Sequence, residues 1–373
     1  MKILILTEFF PSGKDLRFTG GVEARNYYVS KYLSKKHKVT IITTRLKKSA
    51  EKEKIDSVSI IRIGQKNNYV ATTGSIFQRI SFFFNCLTVA RSVDADIVEG
   101  TNFITHTLAY AVARNKKIPS VAWYPDVWIG SWFKNAGITG ILGEIIERIN
   151  LKLKFNRYIA ISKVTEQKLS KFTNKKIDVI PCAVDNVEFK RKIKKQKGKI
   201  ICISRLAKYK NIKNLVLAFA LISKNNHVSL EIVGRGPEEK SLKDLIKNLG
   251  IKSKVRIVSN LERKELIKHL MDAEIFCLPT SVEGFGISII ESAAAKTPYV
   301  VTDLPVIREV TKKYLGGLAV KLDDIYDLSK KINKLLTNKK LYDEKSKECL
   351  KLAKIYSWEK VAKQTEKTYL SLK

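Results

Sequence analysis

The chain has 373 residues, with 70 Lys and Arg against 36 Asp and Glu for a net charge of +34, and 45% of its residues are hydrophobic. That length suits two domains of about 180 residues each, and the composition excludes a disordered or fibrous chain. No apolar run approaches the roughly 18 residues of a membrane span, and the opening KILILTEFF lacks the flanks and cleavage site of a signal peptide, so the expected location is cytoplasmic, with peripheral membrane contact as an extension. The first half alternates strand-like and helix-like segments: KILILTEFF, a helix over Val22 to Lys36, KVTIITT, SVSIIRI, a helix over about Ser75 to Val93, ADIVEG, a helix through Thr105 to Arg114, and PSVAWYP. A helix over Gly140 to Phe155, RYIAIS, a further helix and IDVIPCAV complete it. The alternation restarts with GKIICISRL, a helix over Asn211 to Ser223, HVSLEIVG, a helix from Pro237, KVRIVS, a helix over Glu262 to Ala273, EIFCLPT, SVEGFGISIIESAAAK and PYVVTD. The tail from Leu341 is helical. Such alternation predicts two doubly wound α/β domains, whose ligands bind at the C-terminal strand ends and, with two sheets facing, in the crevice between them.

The charge calls for an anionic partner: nucleic acid, acidic lipid or a phosphorylated acceptor, with a lysine-rich background from codon bias as an equally good account. The densest basic run, Lys190, Arg191, Lys192, Lys194, Lys195, Lys197 and Lys199, falls at the expected domain junction and reads as a solvated linker. Nucleic acid is the weaker partner, because no recognition signature is present and no aromatics interleave the basic run. Ile76 to Leu87, with Phe77, Phe82, Phe83 and Phe84, and Ile138 to Phe155, with Lys152 and Lys154, read first as core-packing helices and second as surfaces for an anionic bilayer. The five cysteines, Cys86, Cys182, Cys202, Cys277 and Cys349, are scattered and odd in number, as expected of reduced core thiols.

The densest chemical signal lies between Ser281 and Thr302. Glu283 precedes Gly284, Phe285 and Gly286, and Glu291 follows eight positions later on an early turn of a buried helix. Glycines there bring backbone close to a ligand, the helix N-terminus favours an anion, and each carboxylate can accept hydrogen bonds from a hydroxyl pair. A ligand with hydroxyls on both sides of a diphosphate uses all three parts. Arg205 and Lys210, in SRLAKYKN at the end of a buried strand, form a cationic clamp for the diphosphate that stands in for a metal ion. Thr19, Gly20 and Gly21 open a helix in the first half, a second anion site, and Gly234 and Gly236 of VGRGP make a turn permitting close approach. Asp94 and Asp96 form a DxD at the start of a strand, the wrong end of the sheet for metal chemistry. His37, His106, His227 and His269 show no metal spacing, and no metal or other cofactor is expected.

EGFGISIIE resembles the E-x7-E signature of the retaining GT-B glycosyltransferases of family 4, the glycosyl transferases group 1. The resemblance extends through GGVEARNYYVSKYLSKKHKVTIIT, IPCAVD, SRLAKYKN, IVGRGP and the closing YSWEKVAKQTEKTYLSL, in the family's order. It implies two Rossmann-like domains facing across a cleft: an acceptor-side domain over 1–188, a nucleotide-sugar donor domain over 189–355, and a helix over 356–373 returning to the first. It further implies transfer of a hexose from a UDP- or GDP-sugar to an acceptor hydroxyl, on a glycan or a lipid-linked acceptor, with retained anomeric configuration and no metal. By the same resemblance Glu291 holds the ribose hydroxyls and Glu283 the transferred sugar. The backbone of Gly284, Phe285, Gly286 and Ile287 holds sugar and diphosphate, Arg205 and Lys210 neutralise the leaving diphosphate, Gly20 and Gly21 approach it, and the backbone near Leu261 reads the base. Pro125 stands where relatives carry a histidine, so that contact to the sugar is missing or supplied elsewhere, with Asp126 the first candidate and His106 the second. Ala183 replaces a glycine in the IPCAVD turn. Two other readings stay open: a nucleotide-sugar epimerase of the same architecture, and a catalytically inactive basic binding protein.

Overall fold

The computed structural model describes residues 1–11, 18, 20–46, 49–67, 76–191, 193–224 and 227–373. Thr19 and Lys192 lie outside the described residues. The chain divides into two compact units, Met1–Cys182 with Trp358–Lys373, and Ala183–Ser357. The segment after Cys182 belongs to the second unit because Val184 bridges Ser357 and the Asn186 amide donates to the Ala353 carbonyl at 3.3 Å.

In chain order the first unit contains β1 (Lys2–Leu6), α1 (Gly21–Leu33), β2 (Lys38–Leu46), β3 (Lys52–Ile55), β4 (Val58–Asn67), α2 (Ile76–Ser92), β5 (Ile97–Gly100), α3 (Phe103–Lys116), β6 (Ser120–Tyr124), α4 (Trp132–Ala136), α5 (Thr139–Lys152), β7 (Arg157–Ala160), α6 (Lys163–Leu169) and β8 (Ile177–Val179). The second contains β9 (Gln196–Ile203), α7 (Ile212–Ile222), β10 (Ser229–Val233), α8 (Glu239–Asn248), β11 (Val255–Val258), α9 (Arg263–Asp272), β12 (Ala273–Leu278), α10 (Ile287–Ala294), β13 (Tyr299–Thr302), α11 (Pro305–Val310), β14 (Gly317–Val320), α12 (Ile325–Thr337) and α13 (Lys339–Ile355). The chain then returns to the first unit as α14 (Trp358–Leu370).

The first sheet has the order β3-β4-β2-β1-β5-β6-β7-β8 and is parallel throughout except for the edge strand β3. Near-continuous apolar strands such as KILIL are buried on both faces, as a parallel sheet requires. Phe82, Cys86 and Ala90 of α2, Leu108 and Val112 of α3, and Leu151 of α5 pack on one face with Leu4, Val98 and Ala122 of the strands. Elsewhere α14 packs along α1, with the Trp358 ring stacked on Tyr28 at 5.1 Å. A buried polar network anchors α1 at the strand ends. The Arg25 guanidinium pairs with Glu99 of β5 and lies 4.9 Å over the Trp123 ring, while the Tyr369 hydroxyl donates to Glu99 at 2.7 Å. Beside it the Asn26 amide donates to the hydroxyls of Thr7 and Thr101, both at 3.0 Å.

The loop after β6 is folded around three carboxylates, Asp126, Glu144 and Glu147. Glu147 of α5 is buried and accepts from the Trp128 amide at 3.1 Å and the Trp132 indole at 2.6 Å. Burial pushes its carboxyl up to about 7 against these bonds. The folded state therefore holds this proton more tightly than the unfolded chain, and the associated stability, present at low pH, is lost as pH rises through about 7. Relative to Glu147→Gln, the wild type should lose on the order of 3 kcal/mol of stability between pH 5 and 8. Thermal melts of both proteins across that range check this; a difference that stays constant with pH contradicts it.

The second sheet has the order β11-β10-β9-β12-β13-β14, with every pairing parallel. Its strand order reverses between β9 and β12, so the loops after these two strands flank a topological switch point, where open α/β sheets bind ligands. The basic run is only in part a solvated linker. Lys190, Arg191, Lys194 and Lys197 are exposed, but Lys197 and Lys199 belong to β9, and buried Lys199 pairs with Asp272 at 2.6 Å. Lys195 donates to the Ala295 carbonyl at 3.1 Å and to the Thr297 hydroxyl, and its burial lowers the ammonium to about 7. Acidic and carbonyl partners some 70 to 100 residues away draw these lysines inward. All five cysteines are buried free thiols.

Candidate functional site

In the second unit the loops after β9, β10 and β12 interlock. The amide of Ser204 donates to the Val233 carbonyl and that of Leu206 to Arg235, both at 3.0 Å. A Cβ at Gly234 would lie 1.9 Å from the Ser204 carbonyl oxygen, and one at Gly236 would lie 2.3 Å from that of Leu206. The VGRGP glycines thus allow two backbones to touch. After β9 a 3₁₀ turn, Lys208–Lys210, leads through Asn211 into α7. Ser281 donates to the Tyr209 carbonyl with its amide at 2.8 Å and its hydroxyl at 3.0 Å, which pins the loop after β12 to that turn.

This pinning brings Lys210 against Glu283, Nζ to Oε2 at 2.6 Å, with both side chains mostly buried. Arg205 is left differently. Its guanidinium is partly buried, touches the Tyr209 hydroxyl at 3.5 Å, and has no carboxylate within ion-pair distance among the described residues. Among the described residues Arg205 therefore has no carboxylate partner, whereas Lys210 and Glu283 neutralise each other in the same pair of loops.

Gly286 occupies the left-handed region, with φ at 90°, and leads directly into α10, whose first residue is Ile287. The N-terminal amides of a helix lack intrahelical acceptors and favour an anion. Phe285 is buried against Tyr356, ring centroids 5.4 Å apart, so its side chain anchors the loop. Glu291, one turn into α10, is buried. Its Oε1 accepts from Arg263 Nη1 at 2.5 Å, and the same guanidinium reaches Glu188 Oε2 at 2.7 Å. Burial pushes the Glu291 carboxyl above its ordinary range, Arg263 pulls it down and Glu188 raises it. Sequence reasoning missed Arg263 and Glu188. Arg263 opens α9, two residues after Leu261, and the Glu262 amide donates to Glu265 at 2.9 Å in a capping box that fixes the loop carrying Leu261.

In the first unit Gly20 is the N-cap of α1, with extended backbone, and Gly21 is its first residue. Pro125 and Asp126 follow β6 directly. Asp126 Oδ1 accepts from Lys168 Nζ at 2.7 Å and from the Val127 amide at 2.8 Å, and Oδ2 accepts from the Trp128 indole at 3.1 Å. Burial raises its carboxyl against these partners. Asp126 therefore organises its own loop. His106 is a core residue of α3, with Nε2 donating to the Trp123 carbonyl at 2.9 Å and burial lowering the ring to about 4, so it stays neutral and inward. The DxD carboxylates hold the start of β1: Asp94 pairs with the Lys2 ammonium and Asp96 accepts from the Lys2 amide at 2.7 Å. Among the described residues no three His, Cys, Asp or Glu side chains gather as metal ligands.

Two Rossmann-like units, the second with a cationic loop, a glycine turn and a carboxylate helix at its switch point, define a protein of the GT-B fold. The family Glycosyl transferases group 1 matches residues 184–351 and Glycosyltransferase Family 4 matches residues 19–187, and the chain belongs to the group 1 glycosyl transferases. Among curated proteins it is similar to the MMP alpha-(1->4)-mannosyltransferase of Mycolicibacterium hassiacum, 25% identical over 277 residues that cover 70% of this chain and 64% of that one. The matched stretches span 48% to 64% of the first such relatives, about half of most of them. In fold it is similar to the sucrose-phosphate synthase of Thermosynechococcus elongatus, with a TM-score of 0.84, 16% identity, and 100% and 98% of the two chains covered. It is similar also to an Anabaena protein solved in complex with UDP-glucose, with a TM-score of 0.78, 16% identity and both chains fully covered.

Proposed function

We propose that this protein is a retaining hexosyltransferase that binds a UDP- or GDP-hexose on the second unit and transfers the sugar to a hydroxyl of a glycan or lipid-linked acceptor. The observation that carries the reading is the Arg205 guanidinium, without a carboxylate partner among the described residues, in the loop that carries Lys210 of the Lys210–Glu283 pair, at the strand-order reversal that the α10 N-terminus also borders. A diphosphate supplies the missing negative charge. Arg205 and Lys210 then stabilise the charge that grows on the leaving phosphate, a role filled by protein cations in place of a metal ion. The Glu283 carboxylate accepts hydroxyls of the sugar once the diphosphate competes for Lys210, and Gly284 to Ile287 lend backbone amides. Glu291, held by Arg263, accepts the ribose hydroxyls, and the backbone at Leu261 meets the base. The mannosyltransferase relative and the UDP-glucose complex of the Anabaena protein support a nucleotide-hexose donor.

An epimerase on the same scaffold binds the same donors, so the products decide. Incubated with UDP- and GDP-hexoses without acceptor, the enzyme should slowly release free hexose, detected by NMR before mutarotation in the anomeric configuration of the donor. An inverted anomer sinks retention, and an epimerised nucleotide sugar with no free hexose sinks transfer.

A further inference from the structure

The outer face of α5 has no counterpart in donor chemistry. Among its described side chains those exposed are Ile141, Leu142, Ile145, Arg148, Ile149 and Lys152, and Ile138 precedes it. At 100° per residue these seven fall within an arc of about 120°. Five are large and apolar, with Ile138 80%, Ile141 52%, Leu142 48%, Ile145 50% and Ile149 49% exposed, and Phe133 of α4 adds a sixth at 65%. The helix has two acids, both outside this arc: Glu147 is buried on the Trp128 amide and Trp132 indole, and Glu144 accepts from the Gly130 amide at 2.9 Å and from Arg148 at 2.6 Å. The remaining polar groups on or beside the stripe are basic, with Lys134 and Lys154 exposed at its margins. On the same face of the sheet α2 exposes Phe77, Ile80 and Phe84.

We propose that α4 and α5 lie on an anionic lipid bilayer, the isoleucine stripe entering the headgroup boundary and Lys152 and Lys154 meeting acidic headgroups. A helix with an apolar face bordered mainly by basic residues, its one bordering acid, Glu144, held by Arg148 and the Gly130 amide, is a form that binds such surfaces in the plane of the membrane. Self-association through the stripe would bring together two chains of net charge +34. Nucleic acid has no use for exposed isoleucines. The proposal is independent of the donor reading.

The test is co-sedimentation of the full chain with vesicles of phosphatidylcholine alone and of phosphatidylcholine with phosphatidylglycerol in equal parts. Wild type should pellet with the anionic vesicles at least tenfold more strongly than with the neutral ones, and should be released as salt rises. Ile145→Glu with Ile149→Glu should lower partition at least tenfold, with an unchanged circular dichroism spectrum because both side chains are already half exposed, whereas Tyr326→Glu, 77% exposed in the other unit, should bind as wild type does. Equal partition into both vesicle types, or undiminished binding by the double variant, overturns the proposal. Sedimentation velocity covers the competing occupant: a wild-type dimer that the double variant abolishes assigns the stripe to a second copy instead.

Discussion

Replacing Arg205 with Met is expected to lower turnover of the nucleotide sugar by roughly 10²- to 10³-fold, the range found when one preorganised charge-stabilising group is removed from an active site. The fold should survive, because the guanidinium has no carboxylate partner among the described residues and its removal strands no buried acid. The loss should fall mainly on kcat if the charge on the leaving phosphate is what Arg205 meets. Lys210→Met makes the contrast: it leaves Glu283 buried without its cation, so both activity and melting temperature should drop. Initial rates of donor hydrolysis with thermal melts on both variants check this. A near wild-type kcat for Arg205→Met removes the guanidinium from catalysis.

Arg263→Met should be the most destabilising single change near the site, by about 3–5 kcal/mol. Arg263 is mostly buried and serves Glu188 and Glu291 together, so its loss removes the cation that both carboxylates share. For a unit of this size that corresponds to a fall in melting temperature of roughly 10 °C. Adding Glu188→Gln should restore part of it by removing one of the two neighbouring carboxylate charges, a recovery that a purely steric role for Arg263 would not give. Differential scanning calorimetry of the single and double variants provides the comparison.

What the sequence made legible was local. The carboxylates flanking Gly284 and Gly286, the strand-turn position of Arg205 and the helix bearing Glu291 all sit within short windows, where spacing and apolar periodicity carry the information. Arg263 escapes a reading of the sequence because its partners are 28 and 75 residues away and nothing in ERKELIKHL marks the arginine as different from the lysines beside it. The same distance effect misled the reading of the basic run, since the burial of Lys195 and Lys199 depends on Thr297 and Asp272. Pattern also leaves a helix's orientation open. The isoleucines of α5 read first as core because periodicity places them on one face without saying which face meets water. Asp126 was singled out for following Pro125, but Lys168, forty-two positions on, and Trp128 give it structural duties that spacing could not reveal. The short strand β14, GLAV, offers too little apolar length to stand out between α11 and α12.

The central claim is that the second unit holds a nucleotide diphosphate sugar, with Glu291 on its ribose. Isothermal titration of wild type and Glu291→Ala with UDP, GDP and their glucose and mannose conjugates tests it most directly. Wild type should bind at least one donor saturably, with binding weakened at least tenfold in Glu291→Ala and by acidification, because protonating a carboxyl already raised by burial removes the acceptor the hydroxyls need. No binding of any nucleotide by wild type, or equal binding by the variant, would contradict it.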